Sequence, residues 1–226
     1  MSGPRPSVTV KGRPVFQVFA KAPVPGFAKT RLIPLLGAVG AARLQAVLVR
    51  QCLETCREAV AAIGGGVELW CAPDCSHAFF HRCAADFSVP LYAQSAFADL
   101  GSRMCDALRS GLARASAAIL LGTDVPTLDL EDLTAAVRAL ADGREAVIAP
   151  AFDGGYVLIG LTRLDPGLFD GVAWGSGRVF SETRRRLQRC GYEWLELPVQ
   201  QDLDTPEDWA RLLVACPEWA RRLGAA

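Results

Sequence analysis

Charge of either sign is not in excess here: 24 basic and 24 acidic residues give a formal net charge of zero. A broad electrostatic footprint for nucleic acid is therefore absent, and no nucleic-acid partner is expected. Long hydrophobic runs are also scarce, and none is apparent near the ~18 residues that a spanning helix needs. No membrane span is expected. The opening MSGPRPSVTVKGRP lacks the extended apolar segment of a signal peptide and reads as a flexible lead-in over residues 1–14. A cytoplasmic, reducing location is the matching expectation. The usual catalytic and nucleotide signatures are missing as well. Lys29-Thr30 looks like the tail of a P-loop, but the glycines required at 23 and 28 are Pro23 and Ala28. No GxGxxG follows the first apolar run, which argues against a nicotinamide enzyme. There is no GxSxG elbow, and the two histidines, His77 and His81, do not lie where a hydrolase triad would need one.

What is present is core material: 51% of the 226 residues are hydrophobic and 21% charged, enough for one α/β domain over residues 15–226. Eight cysteines in a reducing compartment do not suggest a disulfide framework. Cys71, Cys75, His77, His81 and Cys83 fall close together, yet their C-x3-C-x-H-x3-H-x-C spacing matches no standard zinc pattern. Buried thiols and surface imidazoles on a short helix are the competing account.

Apolar runs alternate with helical periodicity along the chain. Strands are expected at 15–20, 67–71, 89–93, 117–122, 146–149, 156–161 and 193–197. Helices are expected at 41–63, 76–85, 100–115, 130–142, 181–190 and 206–215. Gly64-Gly65-Gly66 and Gly143 act as stops, and Asp99, Asp129 and Thr205 as N-caps. Such alternation implies a Rossmann-like, mixed but mainly parallel sheet with helices on both faces.

In open sheets of this kind, ligands bind beyond the carboxyl ends of the strands. The first strand runs into a Pro/Gly-broken loop with Lys21, Gly26, Lys29 and Arg31, residues suited to an anionic ligand such as a di- or triphosphate. A solvated basic turn is the simpler alternative. Carboxylates follow later strands: Asp124 in LLGTDVPTL, Asp153 in AFDGGYVLIGL, and Asp202 with Asp204 in QDLDTPEDW. Each has a structural alternative in a helix entry, a hairpin turn or a cap. Gly154-Gly155 are expected to let backbone approach a ligand. Together the carboxylates could hold Mg²⁺ or Mn²⁺, with nucleotide phosphates supplying further oxygens.

The ordered motifs FAKAPVPGFAKTRL, Asp99-Leu100-Gly101-Ser102-Arg103-Met104, LGTDVPTL, FDGGYVLIGL, the Trp174 region and DLDTPEDW resemble a bacterial family of GT-A-like glycosyltransferases, some members of which are called arsenosugar biosynthesis glycosyltransferases. The resemblance spans about Val15 to Trp209 and implies the nucleotide-diphospho-sugar transferase fold. It implies phosphate binding at Lys21, Lys29 and Arg31, and a metal at Asp124, Asp204 and Asp202. It puts Asp153, Gly154, Gly155, Tyr156 and Trp174 on the acceptor side, with Asp153 and Asp124 catalytic. The expected activity is sugar transfer from a nucleoside-diphosphate sugar to a small-molecule acceptor. Two departures stand out: Gly122-Thr123-Asp124 keeps only the last aspartate of a DxD, and no histidine follows His81. AKTRL also resembles the loop of phospholactate guanylyltransferases, so transfer of a nucleotide from an NTP is the alternative. A silent nucleotide-binding protein is a third.

Overall fold

A computed structural model describes residues 12–95, 99–217, 219 and 221. The lead-in lies largely outside the described residues. Strands β1 (Val15–Lys21), β2 (Gly66–Ala72), β3 (Leu91–Ala93), β4 (Ala118–Gly122), β5 (Ala146–Pro150), β6 (Tyr156–Leu161) and β7 (Trp194–Glu196) form one sheet in the order β3-β2-β1-β4-β6-β5-β7. Only β6 runs against its neighbours, pairing antiparallel with β4 and with β5. The remaining pairs are parallel. The helices are α1 (Ile33–Ile63), α2 (Ala78–Phe87), α3 (Leu100–Leu112), α4 (Leu130–Ala141), α5 (Val179–Arg189) and α6 (Pro206–Ala215).

Side chains alternate across a strand, so one buried strand feeds two cores. Phe16, Val18 and Ala20 of β1 and Ile119 and Leu121 of β4 face Val49 and Leu53 of α1, Phe80 of α2 and Leu133 of α4. Ala118 and Leu120 of β4 instead meet Met104 and Leu108 of α3 and Leu187 of α5. This is the α/β arrangement with helices on both faces that the alternation of runs implies. A third cluster pins α6 to the start of α1 through Leu32, Leu44, Leu48, Trp209 and Leu212.

The expected caps form as read. Asp99 accepts from the Ser102 amide at 2.8 Å, and Asp129 and Thr205 each close a capping box with the aspartate three residues on. Two expectations change at α1. The helix starts eight residues before position 41, and Gly37 breaks it with a left-handed φ of 68°. Pro34, Gly37 and Gly40 hide that first segment from periodicity. Joined to the turn before it, Thr30–Ile63 is long and apolar enough, by length and composition, to cross a membrane, a test that the core helix of a soluble protein also passes. Its Val49, Leu53, Cys56 and Ala59 are buried against the sheet.

Candidate functional site

At the carboxyl ends of β1, β2 and β4 the sheet opens into a cleft of about 850 Å³. Lys21 ends β1, and the loop after it turns at Gly26 before a 3-10 turn over Thr30–Leu32. Lys21 and Arg31 are exposed and line the cleft, beside Arg103 from the first turn of α3. Arg103 was not singled out as a site residue by sequence reasoning, although it lies in the DLGSRM motif. Its Nη1 donates to Gln94 Oε1 at 3.2 Å, and the Gln94 amide in turn donates to the Trp70 carbonyl at 3.0 Å. The guanidinium is thus held at the cleft wall by a glutamine whose orientation is itself fixed.

A second chamber of about 290 Å³ adjoins the first and shares Leu100, Gly122, Asp124 and Asp204 with it. Its lining includes Asp124, Asp153, Asp202, Asp204, Tyr156 and Trp174, and among the described residues no Lys, Arg or His. Tyr156 meets Trp174 edge-on, with ring centroids 6.4 Å apart. Trp174 can lie there because residue 101 is glycine, where a Cβ would come within 2.6 Å of the indole. Burial, and then the charge of Asp153, raise the Asp202 carboxyl to about 6. Asp153 and Asp202 thus face a chamber whose lining, among the described residues, has no cation.

The structure brings the sequence-predicted carboxylates to one place and gives three neighbouring residues particular surroundings. Lys29 lines the first cleft with Lys21 and Arg31 but is not exposed as they are. Its ammonium bonds Asp124 Oδ1 at 2.8 Å, Asp204 Oδ1 at 2.9 Å and the Leu203 carbonyl at 2.7 Å, with only 3% of the side chain exposed. The Leu203 amide also donates to the Asp124 carbonyl at 2.8 Å, so the late DLD segment is laced onto the end of β4. Asp202 does not join Asp124 and Asp204 as a third metal ligand: among the described residues no three His, Cys, Asp or Glu side chains converge on a metal geometry. One oxygen of each of Asp124 and Asp204 already binds the Lys29 ammonium, so a divalent ion between those two oxygens would have to take that cation's place. Finally, of the two glycines, Gly155 lines this chamber, whereas a Cβ at Gly154 would collide with the Gly177 carbonyl, so that glycine is required by the loop that carries Trp174. Asp153 accepts from the Gly155 amide at 2.7 Å within this tight hairpin turn, leaving its other oxygen for the chamber.

Cys75 and Cys83 stay near Cys71, but among the described residues no three His, Cys, Asp or Glu side chains there could hold a metal. Cys71 and Cys83 are buried in the core, and His77 Nδ1 accepts from the Phe79 amide at 3.2 Å to cap α2.

Among curated proteins none matches the sequence. Solved structures do match. A protein from Desulfovibrio desulfuricans G20, provisionally called a nucleotide-diphospho-sugar transferase, superposes with a TM-score of 0.80 at 29% identity, covering 92% of this chain and 88% of that one. A cytidylyltransferase from Leptospira borgpetersenii covers 92% of this chain and 87% of its own, with a TM-score of 0.59 at 17% identity. A 4-diphosphocytidyl-2C-methyl-D-erythritol synthase from Anaerococcus prevotii covers 91% and 99%, with a TM-score of 0.60 at 10% identity. At those identities the last two speak for the fold alone, which is that of the nucleotide-diphospho-sugar transferases. A profile of bacterial proteins described as "Uncharacterized protein conserved in bacteria (DUF2064)" matches residues 46–176, more than half the chain and inclusive of Asp124, Asp153, Tyr156 and Trp174. The chain belongs to the DUF2064 family.

Proposed function

We propose that this protein is a transferase using a nucleotide-activated donor, and that it moves a sugar from a nucleoside-diphosphate sugar to an uncharged, hydroxyl-bearing acceptor. The observation that carries this reading is the polarity of the cleft: a chamber edged by Lys21, Arg31 and Arg103 opens into one lined by Asp124, Asp153, Asp202 and Asp204. The provisional name of the D. desulfuricans relative points the same way.

Cations suit the diphosphate of the donor, and carboxylates beside aromatic rings suit sugar or polyol hydroxyls. The acceptor oxygen attacks the anomeric carbon, the bond from that carbon to the diphosphate breaks, and the nucleoside diphosphate leaves. Asp153 orients the acceptor hydroxyl and takes its proton, within reach of the cleft shared by both chambers. Lys21, Arg31 and Arg103 oppose the charge that develops on the leaving diphosphate. Asp124 and Asp204, tied to Lys29, form the wall between donor and acceptor. No step is assigned to a metal.

Nucleotidyl transfer onto a phosphorylated acceptor is disfavoured, because such an acceptor would enter a chamber lined by carboxylates and, among the described residues, by no cation. Incubation with nucleoside-diphosphate sugars and with NTPs across a panel of acceptors, followed by chromatography, tests the reading. Release of a nucleoside diphosphate with a neutral acceptor is expected, and Asp153→Asn should slow it by about 100-fold or more. Pyrophosphate release from an NTP with a phosphorylated acceptor would overturn the proposal, as would nucleotide binding without turnover.

A further inference from the structure

Lys29 is built into its position more firmly than a phosphate-gripping lysine needs. An ammonium carries three hydrogens, and Lys29 has three acceptors within 2.9 Å: Asp124, Asp204 and the Leu203 carbonyl. Its backbone is left-handed, with φ 47° and ψ 47°, an unfavourable conformation for a side chain with a Cβ. The Ala28 amide bonded to the Val24 carbonyl on one side, and the Leu32 amide bonded to the Lys29 carbonyl on the other, hold it so. That conformation turns the side chain inward, while Lys21 and Arg31 stay exposed.

We propose that Lys29 is the resident cation of this site, filling the place between Asp124 and Asp204 and shutting a divalent ion out of the nucleotide-free protein. An ion bonded at about 2.1 Å to the same two oxygens, Asp124 Oδ1 and Asp204 Oδ1, would lie within about 4 Å of the ammonium. Two like charges at that range repel. The ammonium would also lose two of its three acceptors while still buried, the costliest state for a charge. A divalent ion can therefore occupy this pair only when Lys29 leaves it, and a phosphate-bearing donor brings oxygens that could receive the ammonium. That last consequence rests on the transferase reading, whereas exclusion from the nucleotide-free protein does not.

The test uses the full chain stripped of nucleotide, titrated with MnCl₂, with free Mn²⁺ followed by its electron paramagnetic resonance and the thermal midpoint recorded alongside. The wild type is expected to leave the free-ion signal undiminished and to shift by less than about 1 °C at about 10 mM ion. Lys29→Met removes the cation and should bind one ion saturably, with a midpoint rise of about 4 °C that Asp124→Asn in the same background abolishes. Lys29→Gln, which keeps a donor for the carboxylates without the charge, is the second variant should Lys29→Met not fold. Saturable binding of one ion by the wild type that Asp124→Asn removes would overturn the proposal. So would folded Lys29 variants that take up no ion. Since nucleotide is absent throughout, neither result depends on whether the protein transfers sugar.

Discussion

At the scale of single residues, the molecule separates charges that it uses from charges that it ties down. Glu68 on β2 is almost wholly buried. It is held by Arg114 at 2.5 Å, by the Trp70 indole at 3.0 Å and by the Gln17 amide at 3.2 Å. Gln17 also reaches across to the Ala107 carbonyl at 2.8 Å, which couples β1 to α3. Removing one partner of a buried pair leaves the other charge uncompensated, which costs more than the pair itself was worth. Arg114 is 45% exposed at its side chain, so the penalty is reduced by solvent. Arg114→Met should destabilise by about 2 kcal/mol in denaturant unfolding, and a change within about 0.5 kcal/mol would mean that water already screens Glu68. Residue types were legible here, whereas partners were not. Lys29 looked equivalent to Lys21 and Arg31 in the sequence. Its fate was set by Asp204, 175 residues further along the chain.

Elements were read more reliably than contacts, because their signals are local. Asp99, Asp129 and Thr205 cap the helices expected of them, and β6 and α6 have the expected limits. The prediction at this scale concerns Thr205, whose hydroxyl accepts from the Asp208 amide at 3.2 Å while Asp208 bonds back to the Thr205 amide at 2.8 Å. α6 buries Trp209 and Leu212 against the start of α1, so the cap also fixes the DLD segment that precedes it. Thr205→Ala should cost about 1 kcal/mol, with Thr205→Ser restoring most of it; equal stability of the three proteins would show that packing alone holds the helix entry. The start of α1 differs from its expectation for an equally local reason: Pro34, Gly37 and Gly40 mask its first turns.

For the whole molecule, what matters is that two chambers of opposite polarity meet over shared walls at Asp124 and Asp204. A ligand that binds only the folded protein stabilises it by mass action. At about 100 times its dissociation constant, a nucleoside diphosphate should add about 2.7 kcal/mol, or roughly 8 °C for a chain of this length. Arg31→Ala and Arg103→Ala should each reduce that shift. Absence of any shift with the common nucleoside diphosphates would remove the donor assignment for the first chamber.

The amino-acid sequence by itself determined the α/β class, the order of its elements and the caps that bound them, since hydrophobic period and capping chemistry act over a few residues. It also determined which residue types gather at strand ends, and hence that basic and acidic side chains meet at one edge of the sheet. Only the tertiary structure decided how those charges pair. The closing of the DLD segment onto β4 placed Lys29 between Asp124 and Asp204, left Lys21, Arg31 and Arg103 to face the cleft, and kept the second chamber free of cations among the described residues. The reason is physical: a charge takes the partner that folding brings within 3 Å, and separation along the chain does not reveal which one that is.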